Sequence, residues 1–335
     1  MIGEGRATYQ GETLDGAEVL KRAGLKPVVL SSKEGLILLS GTTSVTAFAS
    51  LAIYDAQTLS LTADIAGSFT LEVLKGTLMA MDERLMAVRP HPDQINTAAN
   101  IRAILKDSPM LERYRGHRVQ DALSIRCMPQ LHGPVKKAVK DIELNSSVDN
   151  PLIFDEEDGG AVALMGCNAD GTYAGMASDN LCIAITDLCK MSNSRIDRLL
   201  NSLVSELPAF LNKNADFNNG LMMIQYASAG LQGELRILAH PAVVDNLTTC
   251  ANQEDYVNMG YNAAKKAYDS MHLAKYILAA ELICDGQALD CYEDKRCAKG
   301  TQAIYDLLRT KVPEMDNDMP LTPYLEAVAQ QIIDR

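Results

Sequence analysis

Apolar residues return at helical spacing along most of the chain. From Leu14 to Ala23 they form a short amphipathic stretch with Lys21 and Arg22 in its last turn, Gly24 where a left-handed residue ends a helix, and Pro27 just beyond. A longer stretch, about 58–88, puts Leu61, Ile65 and Phe69 on one face and Asp64, Glu72 and Lys75 elsewhere, until Arg89-Pro90-His91-Pro92 breaks it. A third, about 174–206, carries Leu181, Ala184, Ile185 and Leu188, then Ile196, Leu199 and Leu203, and closes at Pro208. A fourth, about 259–289, aligns Ala264, Ala267, Tyr268, Met271, Leu278 and Leu282, with Lys265, Lys266, Asp269 and Lys275 away from that face. Helices of this length would each run about 45 Å, well beyond the ordinary globular helix of about 11–12 residues. They predict a mainly α fold, a bundle of long helices, treated as a single region over 1–335 with a small C-terminal segment at 291–335. Alternating strand patterns joined by Asn-Gly or Asp-Gly are scarce.

Composition narrows the partners. With 31 Lys+Arg against 43 Asp+Glu, the formal net charge of −12 opposes attraction to nucleic acid or anionic lipid, and no basic block offsets it. No basic and apolar leader opens the sequence, and no uninterrupted apolar run reaches the length of a membrane span, so neither an export signal nor a span is expected. The 8 cysteines are sparse and form no Cys-x-x-Cys pair. Reduced thiols in a cytoplasmic protein, packed as small hydrophobes, and no metal site are the expectation. The small residues Ala263, Ala264, Ala267, Ala274, Ala279 and Ala280 allow close helix approach, and such bundles often continue across subunits, so an oligomer is expected.

Four polar, irregular segments interrupt the helical pattern at 39–43, 119–127, 166–172 and 251–259. Arg126, between Ile125 and Cys127, suits either a buried structural ion pair or a two-point clamp for a carboxylate. Glu254-Asp255 suits a helix N-terminus as well as a chemical role. No phosphate-binding glycine loop, His-Glu-x-x-His or Gly-x-Ser-x-Gly motif competes with these segments.

Their order and wording are far more specific than any one of them. IGEGRA at 2–7, KPVVLSSKEGLILLSGT at 26–42, RPHPDQ at 89–94, VQDALSIRCMPQ at 119–130, ELNSSVDNPLIF at 143–154, ASDNL at 177–181, HPAVVDNLTTCANQEDYVNMG at 240–260 and GQALD at 286–290 resemble the histidine and aromatic-amino-acid ammonia-lyase family, collinearly over essentially the whole chain. The NQED at 252–255 looks more like the histidine branch. The resemblance implies the helical ammonia-lyase/fumarase-like fold and an internally formed methylidene-imidazolone electrophile. The substrate amine adds to that electrophile, a base takes a β-proton, and ammonia leaves an α,β-unsaturated acid. By the same resemblance Arg126 would pin the substrate carboxylate, Gln120 would orient it or the electrophile, and Glu254 would face the substrate side chain or assist proton transfer.

The sequence departs from the family pattern around those positions. Ser40 stands for an expected Asn, Leu123 for a Tyr, Ala169 for a Phe, Asp170 for a His, and Tyr256 for the His after NQED. Ser40, Leu123 and Ala169 would therefore reshape the substrate pocket. The Ala-Ser-Gly that cyclises belongs upstream of IGEG, where this sequence starts, and the Ser-Gly at 40–41 follows Leu39 in a different motif. The expectation is a C-terminal subunit or fragment, inactive alone, completed by an N-terminal chain that carries Ala-Ser-Gly and acting on a small amino acid as lyase or aminomutase. A catalytically inactive scaffold of the same fold is the alternative, as is a shortened piece of an ordinary enzyme.

Overall fold

The computed structural model describes residues 1–39, 42–142, 151–214 and 217–333, and its contacts divide the chain into two units. The smaller comprises Met1–Thr43 and Asn145–Asp170, the larger Ser44–Leu144 and Gly171–Arg335.

In the smaller unit, strands β1 (Arg6–Tyr9) and β2 (Glu12–Asp15) pair antiparallel, Arg6 opposite Asp15 and Tyr9 opposite Glu12. Gln10 and Gly11 turn the chain with φ of 50° and 85°, the two left-handed residues that a tight hairpin requires. The hairpin carries no clear sequence signal, because Gln-Gly stands where Asn-Gly would mark it. Helix α1 (Gly16–Arg22) follows directly and ends at Gly24 (φ 71°) as its sequence predicts, while Leu14, taken as helical, is in β2. Helix α2 (Glu34–Leu39) and a second antiparallel hairpin, β3 (Leu152–Asp155) with β4 (Ala161–Leu164), complete the described part of this unit.

The larger unit is helical: α3 (Thr43–Val73), α4 (Glu83–Val88), α5 (Pro92–Ile104), α6 (Pro109–Arg113), α7 (Leu123–Arg126), α8 (Met128–Lys140), α9 (Thr172–Leu200), α10 (Ser202–Ser205), α11 (Met222–Leu238), α12 (Gly260–Asp290), α13 (Lys299–Arg309) and α14 (Thr322–Ile332). Helices α9 and α12 pack along each other, α11 covers both, and α5 lies against α8. The predicted stripes on α9 and α12 are buried: Leu181, Ile185, Leu188, Ile196 and Leu199 on one, Ala264, Ala267, Met271 and Leu278 on the other. Among the cysteines, Cys182, Cys189, Cys284 and Cys297 are buried, and all eight are free.

Three expectations change. The stretch predicted at 58–88 begins at Thr43 and stops at Val73, where Lys75 turns left-handed (φ 56°). The stretch predicted at 174–206 breaks at Asn201, whose side chain caps α10. The face assigned to α3 is also different: Leu61 is exposed, whereas Asp64 and Glu72 are buried. Asp64 accepts from His132 Nδ1 (2.8 Å), Lys136 Nζ (2.7 Å) and Asn100 Nδ2 (2.8 Å). Glu72 accepts from the Ser108 and Thr301 hydroxyls and the Ala298 amide. Each buried carboxylate has its acceptors filled, which is what makes its burial tolerable. The stretch 34–73 is apolar and long enough to cross a membrane by length and composition. Within α3, Ala49, Ala52, Ala56, Leu59, Ala63 and Ala66 are fully buried inside the helical unit.

Asp285 on α12 is fully buried, and burial together with the neighbouring Glu281 carboxylate raises its pKa well above the usual range. Geometry agrees with a proton there. Thr70 Oγ1 lies 2.7 Å from Asp285 Oδ1 and 3.0 Å from Glu281 Oε1, yet a hydroxyl has one hydrogen to give. A protonated Asp285 donates to Thr70, which donates to Glu281. A raised carboxyl pKa contributes stability below the unfolded value and loses it as pH rises toward the folded one. Asp285→Asn is therefore expected to leave the urea midpoint nearly unchanged at pH 4 and to raise it at pH 8. A midpoint lowered equally at both pH values would count against the buried proton.

Candidate functional site

Leu123 and Arg126 are the first and last residues of the one-turn helix α7, and Gln120 lies three residues before it. The Ala122 carbonyl accepts from the Ile125 and Arg126 amides, and Pro129 follows at the start of α8, so the turn presents its side chains and stops. Arg126 Nη1 donates to Gln120 Oε1 at 2.7 Å. The guanidinium is half-buried, its Nε is buried with no hydrogen-bond partner, and among the described residues it pairs with no acid. Of the two readings of Arg126, the structural ion pair is therefore not what the described residues provide. Leu123 is 61% exposed and offers no polar atom.

Asp121 belongs to the same motif, and its sequence context carries no sign of its role. It is buried, accepts from the Thr77 amide at 2.8 Å through Oδ2, and has no partner for Oδ1. Burial raises its carboxyl pKa, against the Thr77 amide and the charges of Arg118 and Arg198, which lower it. It ties the segment before α7 to the turn after α3.

Glu254 stands on a separate turn. Thr249 and Glu254 exchange backbone hydrogen bonds of 2.8 and 3.3 Å, and Thr249 Oγ1 donates to Glu254 Oε2 at 2.8 Å. Between them Cys250, Ala251 and Asn252 all hold left-handed φ, 51°, 50° and 69°. Three such non-glycine residues in succession are costly, and strain of this kind gathers at functional turns. Helix α12 begins only at Gly260, with the Gly260 amide donating to Asn258 Oδ1 at 2.8 Å, so Glu254-Asp255 do not cap a helix N-terminus. Tyr256, in place of the expected His, shares a 3.0 Å hydrogen bond with Thr172.

Ala169 is half-buried in the smaller unit, and Ser40 lies outside the described residues. A cavity of about 690 Å³, lined by Asp82, Ser108, Glu112 and Arg115 among others, includes none of the residues singled out above. A second of about 540 Å³ is lined by Arg89, His91, Asp93 and Gln94 of the RPHPDQ segment with Gln130 and Asn180. Among the described residues no group of three metal-ligating side chains converges.

Comparison with known proteins gives the family of the chain. A family model described as aromatic amino acid lyase matches residues 1–310. The histidine ammonia-lyase of Alkaliphilus oremlandii is 42% identical over 324 residues, covering 95% of this chain and 63% of that protein. The chain thus spans less than two thirds of the length of that curated relative. The crystal structure of histidine ammonia-lyase from Trypanosoma cruzi superposes with a TM-score of 0.89 at 33% identity, over 99% of this chain and 64% of the other. The phenylalanine aminomutase of Pantoea agglomerans gives a TM-score of 0.91 at 33% identity, over 100% of this chain and 69% of that one.

Proposed function

Because the chain belongs to the aromatic amino acid lyase family, we propose that it supplies the substrate-binding part of a histidine-type ammonia-lyase, which removes ammonia from an L-amino acid to leave an α,β-unsaturated acid. The observation that carries this reading is Arg126. A half-buried guanidinium that meets no counter-charge among the described residues is costly, and a substrate carboxylate bound at two points relieves that cost. Gln120, holding Nη1, sets the plane in which the carboxylate is received. Glu254 faces the substrate side chain or takes part in proton transfer, and histidine is the first choice of substrate on its account. The family resemblance also assigns Ser40, Leu123 and Ala169 to substrate binding.

These 335 residues contain no Ala-Ser-Gly to form the methylidene-imidazolone of the family, and Leu123 and Ala169, where the family pattern has Tyr and Phe, would offer that group no hydrogen-bonding side chain. The electrophile would come from a separate chain bearing Ala-Ser-Gly, in a cytoplasmic homo- or hetero-oligomer. Exposed Leu51, Tyr54 and Leu61 on α3, Tyr173 and Met176 on α9, and Met223 and Tyr226 on α11 give such subunits apolar surface to cover. An aminomutase shares the amine-removal step and is the near variant.

A non-catalytic scaffold is the second reading, favoured by the exposed Leu123 in place of a phenol. Co-purification with an N-terminal chain bearing Ala-Ser-Gly, followed by ammonia release from a panel of L-amino acids, separates them. Turnover of one amino acid is the expected outcome. A stable complex inert toward the whole panel would establish the scaffold instead.

A further inference from the structure

Arg195 is fully buried on α9 and forms a two-point pair with Glu281 on α12, through Nε to Oε1 and through Nη2 to Oε2 at 2.9 Å. Glu281 also accepts from the Ser192 and Thr70 hydroxyls, so its lone pairs are filled and the guanidinium plane is fixed. The remaining arm, Nη1, donates to the Ser124 carbonyl at 3.2 Å. Ser124 lies in α7, and among the described residues no backbone amide reaches its carbonyl, which is one of the orphans every helix end leaves. Gly67 on α3 leaves room for the Met128 side chain beside Arg195. A Cβ there would sit 2.2 Å from Met128 Sδ and 3.5 Å from Arg195 Cζ.

We propose that Arg195 is a positioning residue for the substrate clamp: its rigid fork, anchored by Glu281, caps α7 through the Ser124 carbonyl and so fixes where Leu123 and Arg126 point. The assignment to substrate binding rests on the lyase reading above, while the capping of α7 does not. A lysine keeps the charge but is a point donor on a flexible stem, and cannot hold Glu281 at two points and reach Ser124 together.

The test compares wild type, Arg195→Lys and Gly67→Ala within the two-chain complex, the second variant displacing the Met128 side chain beside the guanidinium without removing charge. Hydrogen exchange at the amides of Ile125, Arg126 and Cys127 is expected to quicken by about tenfold or more while amides of α5 keep their wild-type rates. Turnover should show KM raised roughly tenfold with kcat little changed, since the clamp acts in substrate binding. Wild-type exchange rates at 125–127 in both variants, or a uniform quickening across all helices, would overturn the capping role. A lowered kcat with unchanged KM would overturn its link to the clamp. A wild-type complex that turns over nothing counts against the lyase reading and the clamp together, and the exchange rates still decide whether Arg195 caps α7.

Discussion

Asp64→Ala is expected to cost about 3–5 kcal/mol of folding stability, the range for removing one partner of a buried charge pair. Lys136, itself buried, would keep Thr97 Oγ1 alone as a partner among the described residues, and His132 Nδ1 would lose its acceptor in a site closed to solvent. Asp64→Asn should cost less, because the amide oxygen still accepts from His132 although the charge opposite Lys136 is gone. Urea denaturation followed by circular dichroism measures both, and a loss under about 1 kcal/mol for Asp64→Ala would mean water replaces the carboxylate. The same pair sets an acid limit. Burial pushes the Asp64 carboxyl up, but the His132 hydrogen bond and the Lys136 ammonium outweigh it and its pKa is lowered. Burial also lowers the His132 pKa, more than the Asp64 carboxylate raises it. Both groups bind fewer protons folded than unfolded, so both contributions are present above the unfolded values and lost as pH falls. The His132 contribution drains below about 6.5 and the Asp64 contribution below about 3.9. Wild type should therefore weaken on acidification from pH 7, and Asp64→Ala should shed the part of that slope below pH 4.

Arg126→Ala in the two-chain complex should lower kcat/KM by about 100-fold or more, since two charge-assisted hydrogen bonds to a carboxylate are each worth about 1.5–3 kcal/mol. Most of the loss should fall on KM, because the carboxylate is held equally before and during the reaction. Arg126→Lys should recover only part of it, a point charge being unable to match the planar fork. Arg126 has no acid partner among the described residues, so its removal should leave the urea midpoint within about 1 kcal/mol of wild type. That contrast separates a substrate clamp from a structural cation. Equal kcat/KM in the variant, or a collapse of stability with it, would remove Arg126 from the site.

The long helices were legible because their apolar stripes are continuous, and α12 falls within a residue of its predicted bounds. The start of α3 was not. Residues 43–57 open with Thr43, Ser44 and Thr46, which resemble a loop, and their buried stripe is made of Ala49, Ala52 and Ala56, whose small side chains leave little periodic signal. Charged residues were read as solvent-facing, which holds for Lys265 and fails for Asp64, Glu72 and Lys275. Position alone could have found the most consequential of the buried charges: Arg195 falls on the stripe with Leu188, Ser192 and Leu199, where an exposed guanidinium has no place. Within the candidate site, the four segments were legible as motifs, but the pairing of Gln120 with Arg126 and the left-handed run before Glu254 depend on tertiary placement that no spacing encodes.

The proton shared along Asp285, Thr70 and Glu281 reaches beyond local stability. The formal charge of −12 counts every carboxylate as ionised. With Asp285 neutral, the folded chain is one unit less negative than that count at pH 7, and unfolding must release a proton to the solvent. The heat absorbed on unfolding will then include the ionisation heat of whichever buffer captures that proton, so thermograms recorded in phosphate and in Tris should differ in enthalpy while agreeing in midpoint.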